Sequence, residues 1–154
     1  MKPTWMVQMA VAWMMLLATI PCVGSSNRDI VLLTELQQTV NEVRNGENAN
    51  IRRAAAYHLA QLTSRIAPRD VSDKTLSDLI SLVDSPEDSV RAGVAAALGY
   101  LGSRAKPAVP KLLELLPKVD CLQGAVTSAD AIRLALTRIG VTPPPRPDCG
   151  RIGG

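Results

Sequence analysis

An apolar pattern that recurs about every 40 residues limits what this chain can fold into. In residues 75–116, Leu76, Leu79, Ile80 and Val83 fall at i, i+3, i+4 and i+7, so one helical face carries all four. A polar turn, Asp84-Ser85-Pro86-Glu87-Asp88, leads to a second stripe of Val90, Val94, Leu98 and Leu101, with Ala97 beside it. Ser85 is expected to cap that second helix, Pro86 to open it and Gly102 to stop it. A shift of 33 residues maps the first stripe onto Val109, Leu112, Leu113 and Leu116. A backward shift of 39 maps Val90-Arg91 onto Ile51-Arg52, and Leu98 and Leu101 onto Leu59 and Leu62. A forward shift of 38 maps Val94, Leu98, Leu101 and Gly102 onto Ile132, Leu136, Ile139 and Gly140. No single hairpin buries both its stripes alone. The pattern therefore predicts an all-α fold of about three stacked helical hairpins, a short α-solenoid.

The run D-S-V-R-A-G-V-A-A-A-L-G-Y-L-G, followed by A-x-x-A-V-P-K-L-L-E-L-L, resembles the HEAT repeat. Its closest flavour is the short bacterial HEAT-like repeat shared with phycobilin lyases. The resemblance implies that an acid in the turn and an arginine at the start of the second helix tie neighbouring repeats together. Asp88 and Arg91 occupy those places in the central repeat. Arg52 matches in the first repeat, where Ala49 stands in the acid's position; in the third, Ala129 stands where the arginine would fall. The resemblance also implies that the second helices line the concave side. Arg52, Arg53, Tyr57, Arg91 and Arg133 are therefore the candidate surface for a protein or peptide partner.

The expected repeats span about 29–66, 72–102 and 107–140, within a domain of residues 25–140. Residues 1–24 differ in kind. Lys2 precedes an almost wholly apolar run from Met6 to Ile20, and Pro21-Cys22-Val23-Gly24 then supplies a breaker and small residues. This is the layout of a secretory signal peptide, cleaved after Gly24. The alternatives are an uncleaved N-terminal anchor and a lipidated Cys22. The apolar run is short for a bilayer core, which needs about 20 residues. Residues 141–154 hold four prolines and three glycines and predict an extended tail.

In an oxidising compartment Cys121 and Cys149 invite a disulfide that would pin this tail over the last repeat. Closing a loop of about 28 residues is worth roughly 3–4 kcal/mol in the chain-entropy view. His58 is the only histidine and there is no Cys-x-x-Cys spacing, so the sequence offers no metal site. His58 reads as a partly buried side chain without a nucleophile or orienting acid assigned to it. Gly93 and Gly99 stand inside a helical pattern, each at a cost of about 1 kcal/mol relative to Ala. Close approach of neighbouring helices explains them; neither lies in a phosphate-binding strand-to-helix loop. The net charge of +3 does not suggest nucleic acid, which calls for a clustered basic face.

These readings converge on an exported, non-catalytic protein-interaction module with no cofactor, either periplasmic or extracellular. A phycobilin-lyase-like enzyme and a structural subunit of a larger assembly are the alternatives. Intact mass of protein recovered from the host's extracytoplasmic fraction is expected to begin at Ser25; a full-length mass there would contradict cleavage.

Overall fold

A computed structural model describes residues 26–121 and 127–149. The expected signal peptide and part of the expected 117–127 insertion lie outside the described residues. Two compact units divide the chain, residues 1–30 and residues 31–154. Of the first, Ser26–Ile30 is described and is helical. The second holds the remaining described residues and the whole of the buried core.

The described residues form six α-helices: α1 Ser26–Asn45, α2 Ala49–Thr63, α3 Asp73–Leu82, α4 Asp88–Tyr100, α5 Val109–Val119 and α6 Ser128–Ile139. Short 3-10 segments at Pro68–Asp70 and Gly102–Ala108 connect α2 to α3 and α4 to α5. No strand occurs among the described residues. Together these elements make an all-α array of helical hairpins. The second helices form one layer, with α4 packed between α2 and α6. Of the first helices, α3 packs on α4, and α5 packs on α6. Leu36, Val40 and Val43 bring α1 into the same core, and Gln37 accepts a hydrogen bond from Thr75 Oγ1 at 3.3 Å.

The buried residues are those of the recurring stripes. Leu59, Leu62, Leu79, Val94, Leu98, Leu112, Leu116, Ile132 and Leu136 are almost wholly removed from solvent. Each buried Leu or Ile contributes roughly 1.5–3 kcal/mol to folding. Two stripe positions depart from the shifted pattern. Ile51 is 41% exposed where its counterpart Val90 is 1% exposed. Val90 lies on α4, which has a neighbouring helix on both sides, whereas α2 has α4 on one side within this unit. Leu113 is also exposed. It lies four residues before Pro117, which has no N–H to offer the Leu113 carbonyl, and both residues face solvent.

Helix ends follow side-chain chemistry. Asn48 caps α2 by accepting from the Asn50 and Ile51 amides, Ser72 caps α3 through Thr75 N, and Thr127 caps α6 through Asp130 N. Gly140 ends α6 in the left-handed conformation at φ 99°, and the Val141 amide returns to the Leu136 carbonyl at 2.9 Å. The start of α4 differs from expectation. The helix opens at Asp88 rather than Pro86, and Glu87 takes the cap position without a side-chain cap bond. The Ser85 hydroxyl accepts from Glu87 N at 3.3 Å, while the Ser85 and Pro86 carbonyls accept from Arg91 Nη1 at 2.8 and 2.9 Å. Arg91 thus holds the turn in place of a cap. Among the described residues no helix is long and apolar enough to cross a membrane.

The inner glycines mark the points of closest helix approach. A Cβ on Gly93 would lie 2.6 Å from the Ala56 carbonyl oxygen and 2.8 Å from its Cβ. A Cβ on Gly99 would lie 3.0 Å from the Ala135 Cα. Backbone opposes Gly93, so no side-chain rotation relieves the clash. Gly93→Ala is expected to lower stability by about 1–3 kcal/mol despite alanine's better helix propensity. Gly99→Ala is expected to cost less. Chemical denaturation of both variants checks this order.

Candidate functional site

The second helices present two different edges. Their N-terminal edge is a line of ionic and hydrogen-bonded rungs. Their solvent face is an apolar groove.

At the edge, Arg52 and Arg91 behave as repeat equivalents. Arg52 Nη1 donates to the Gly46 carbonyl at 2.7 Å, and Arg91 Nη1 donates to the Ser85 carbonyl at 2.8 Å. Both carbonyls belong to the turn six residues earlier, so each arginine closes its own hairpin. Their other nitrogens diverge. Arg52, with Ala49 where the central repeat has Asp88, reaches across to Glu87 of the next repeat, Nε to Oε1 at 2.6 Å. Arg91 pairs with Asp88 in its own helix at 2.9 Å. Asp88 then spans to the third repeat, accepting from the Ser128 hydroxyl at 2.6 Å and the Ser128 amide at 3.2 Å. The step between the first and second repeats is therefore Arg52–Glu87, and the step between the second and third is Asp88–Ser128.

The third repeat uses a separate solution. Arg133 meets the buried Asp120 carboxylate with two nitrogens, Nε at 3.0 Å and Nη2 at 2.5 Å, and its Nη1 donates to the Pro144 carbonyl. Residues 141–149 have no regular secondary structure, and Cys149 is bonded to Cys121 with their Cα atoms 5.4 Å apart. Arg146 pairs with Asp130 at 2.5 Å.

The groove has a volume of about 600 Å³ and runs across α2, α4 and α6. Small residues form its floor: Ala60 on α2, Ala92, Gly93 and Ala96 on α4, and Ala131 and Ala135 on α6. Ala92 and Ala96 lie on the face of α4 away from its buried stripe, whereas Gly93 and Ala135 sit at the crossings with neighbouring helices. Tyr57, Tyr100 and Leu134 rise from this floor and are 68%, 42% and 49% exposed. Arg138 lies over the Tyr100 ring, its Cζ 4.5 Å from the centroid, a cation–π contact. Arg53 and Asp130 complete the charged lining.

The expected partner surface thus divides. Arg53 and Tyr57 line the groove. Arg52, Arg91 and Arg133 do not, because their guanidiniums are spent on turn carbonyls and acids, with side-chain exposures of 29%, 12% and 15%. Recurrence at one helical position marked Arg52 and Arg91, and Arg133 lies four residues past the equivalent Ala129, but spacing did not give the direction of these side chains. Tyr100, Leu134 and Arg138 join the groove unanticipated. The signal for them was the row of small residues on the unburied face of α4, which leaves a trough between larger neighbours. His58 lies outside the groove and is half-exposed, its Nε2 3.4 Å from Glu35 Oε1. Among the described residues no cluster of three or more His, Cys, Asp or Glu side chains is arranged to hold a metal.

The model of the HEAT-repeat family matches residues 36–130, more than half of the chain, and the chain belongs to that family. HEAT repeats commonly mediate protein–protein interaction. No curated protein and no solved structure matches the chain.

Burial raises the Asp88 carboxyl, but hydrogen bonds from the Ser128 hydroxyl, Arg91 and the Ser128 amide outweigh it and hold the group below its ordinary value. A carboxylate held low in the folded state stabilises above its unfolded pKa of about 3.9 and loses that contribution as the pH falls through the lower folded value. Asp88→Asn is expected to cost about 1 kcal/mol at neutral pH, a figure reduced for partial solvent exposure. The difference from wild type should shrink as the pH falls below about 4. Urea unfolding at pH 7 and pH 3 checks both statements.

Proposed function

We propose that the protein is an exported, non-catalytic binding module that holds a protein partner in the groove formed by α2, α4 and α6. The observation that carries this reading is the exposure of Tyr57, Tyr100 and Leu134 along one face built from all three second helices. Amphipathic aromatic side chains bury large area at low entropic cost, as binding surfaces require. Their supports belong to one packed layer, so little ordering is needed on association. The segment at residues 1–24 and the Cys121–Cys149 bridge support an extracytoplasmic setting, where disulfides persist.

Neither Tyr57 nor Leu134 contributes to the core, so truncating them should leave the fold intact. The Tyr57→Ala, Leu134→Ala double variant is expected to keep the wild-type unfolding midpoint and to lose partner capture from the host's extracytoplasmic extract by at least tenfold, read by quantitative mass spectrometry. Equal capture by the variant and the wild type would overturn the groove as the binding face.

A further inference from the structure

The charges that line the groove are unevenly paired. Arg44, Arg52, Arg91, Arg104 and Arg133 each meet a carboxylate elsewhere in the array. Within the groove, neither Arg53 nor Arg138 has a carboxylate partner among the described residues. Arg53 donates to the neutral Asn50 side chain at 2.7 Å, and Arg138 rests on Tyr100. Asp130 is the one acid in the described lining, and it is already engaged by Arg146 from the tail.

The tail is placed to maintain that engagement. Its chain leaves α6 where the Val141 amide donates a hydrogen bond to the Leu136 carbonyl, passes Arg133 Nη1 at the Pro144 carbonyl, offers Arg146 to Asp130, and ends its described course at the bridge to Cys121. The Arg146–Asp130 pair is about half exposed on both sides, and such pairs are weak when their partners are free to separate. Tethering on both sides of Arg146 keeps the guanidinium at high effective concentration beside its acid. With Asp130 neutralised, the groove presents two uncompensated guanidiniums above an apolar floor.

We propose that the groove selects an acidic, apolar segment of a partner protein, and that the disulfide-pinned tail enforces this choice by keeping Arg146 on Asp130. The inference rests on the groove being the binding face. Carboxylates of the ligand meet Arg53 and Arg138, and its apolar side chains lie on the small-residue floor beside Tyr57, Tyr100 and Leu134. Cys121 and Cys149 are both exposed, so a dithiol reductant reaches the bridge. Thiol–disulfide exchange leaves two protein thiols and converts the dithiol to its own disulfide. Arg146 is then held by fewer anchors, and Asp130 becomes a repulsive charge toward the acidic ligand.

The test uses the full chain and three synthetic amphipathic peptides with Leu on one helical face and Glu, Gln or Lys on the other. Calorimetry is expected to rank them Glu, then Gln, then Lys, with at least a tenfold gap between the first and last. Arg146→Ala, which leaves the bridge intact, and reduction with dithiothreitol should each weaken the Glu peptide by about threefold to tenfold, the range for one exposed charge contact. Circular dichroism on the same samples establishes that the array remains folded. Equal affinity for the Glu and Gln peptides would overturn the charge selection and leave the groove standing as a binding face. A Glu preference unchanged by Arg146→Ala would overturn the role of the tail. Binding that persists in the Tyr57→Ala, Leu134→Ala variant would place the peptide elsewhere and overturn both the inference and the reading beneath it.

Discussion

The structure depends on how closely α4 approaches its two neighbours. Gly93 sets its backbone against Ala56 of α2, and Gly99 sets its backbone against Ala135 of α6. At Gly93 a methyl group is too large and at Gly99 it would be tight, so the central helix tolerates a propensity cost of about 1 kcal/mol at each glycine to gain a dense layer. Alanine dominates both sides of the contact for the same reason. Ala55, Ala56, Ala95, Ala97 and Ala135 are buried between helices, while Leu and Val fill the wider space toward α1, α3 and α5. A chain without phenylalanine builds a sufficient core in this way because close approach substitutes for large side chains.

The same constraint shapes both surfaces of the layer. Small residues cannot cover the groove, so its floor is shallow and its exposed features come from the few larger residues beside it. At the helix starts, close packing brings successive turns within reach of one another, and polar side chains occupy the junctions. Arg52 and Arg91 satisfy carbonyls that no helix serves, and Glu87 and Asp88 carry the connection onward. Exposed ion pairs contribute little, with a median of about 0–1 kcal/mol. These rungs are more than ion pairs, since each arginine also satisfies backbone acceptors that would otherwise lack partners. Their value lies in fixing the register of one hairpin on the next.

Much of this was legible in the residues. Helical spacing located the stripes, the shifts between them located the hairpins, and the two interior glycines announced the tight crossings. Gly140, the shifted counterpart of Gly102, ends the last helix because a left-handed C-cap depends on local chemistry. Long-range geometry was not legible. The recurrence of Arg52 and Arg91 is visible, but a guanidinium on a long flexible stem turns toward whichever acceptors folding brings near, and these lie in turns and in other repeats. Asp120 belongs to no periodic run, so nothing in its neighbourhood foretold that it would be buried beneath Arg133. The groove escapes a reading that follows only the buried stripe, because its floor is defined by what small residues omit.

The functional picture follows from the division between a committed edge and an uncommitted face. Arginines at the edge are consumed by the fold, whereas Arg53 and Arg138 meet no carboxylate among the described residues and Tyr57 and Tyr100 stay exposed. All of this requires α2, α4 and α6 to behave as one layer. Hydrogen–deuterium exchange resolved by residue tests that requirement most directly. The account predicts that core amides of α4 and the facing amides of α2 and α6 exchange slowest, through one shared opening with a common free energy. Exchange of α6 through a separate, low-energy opening, with α2 and α4 still protected, would contradict it.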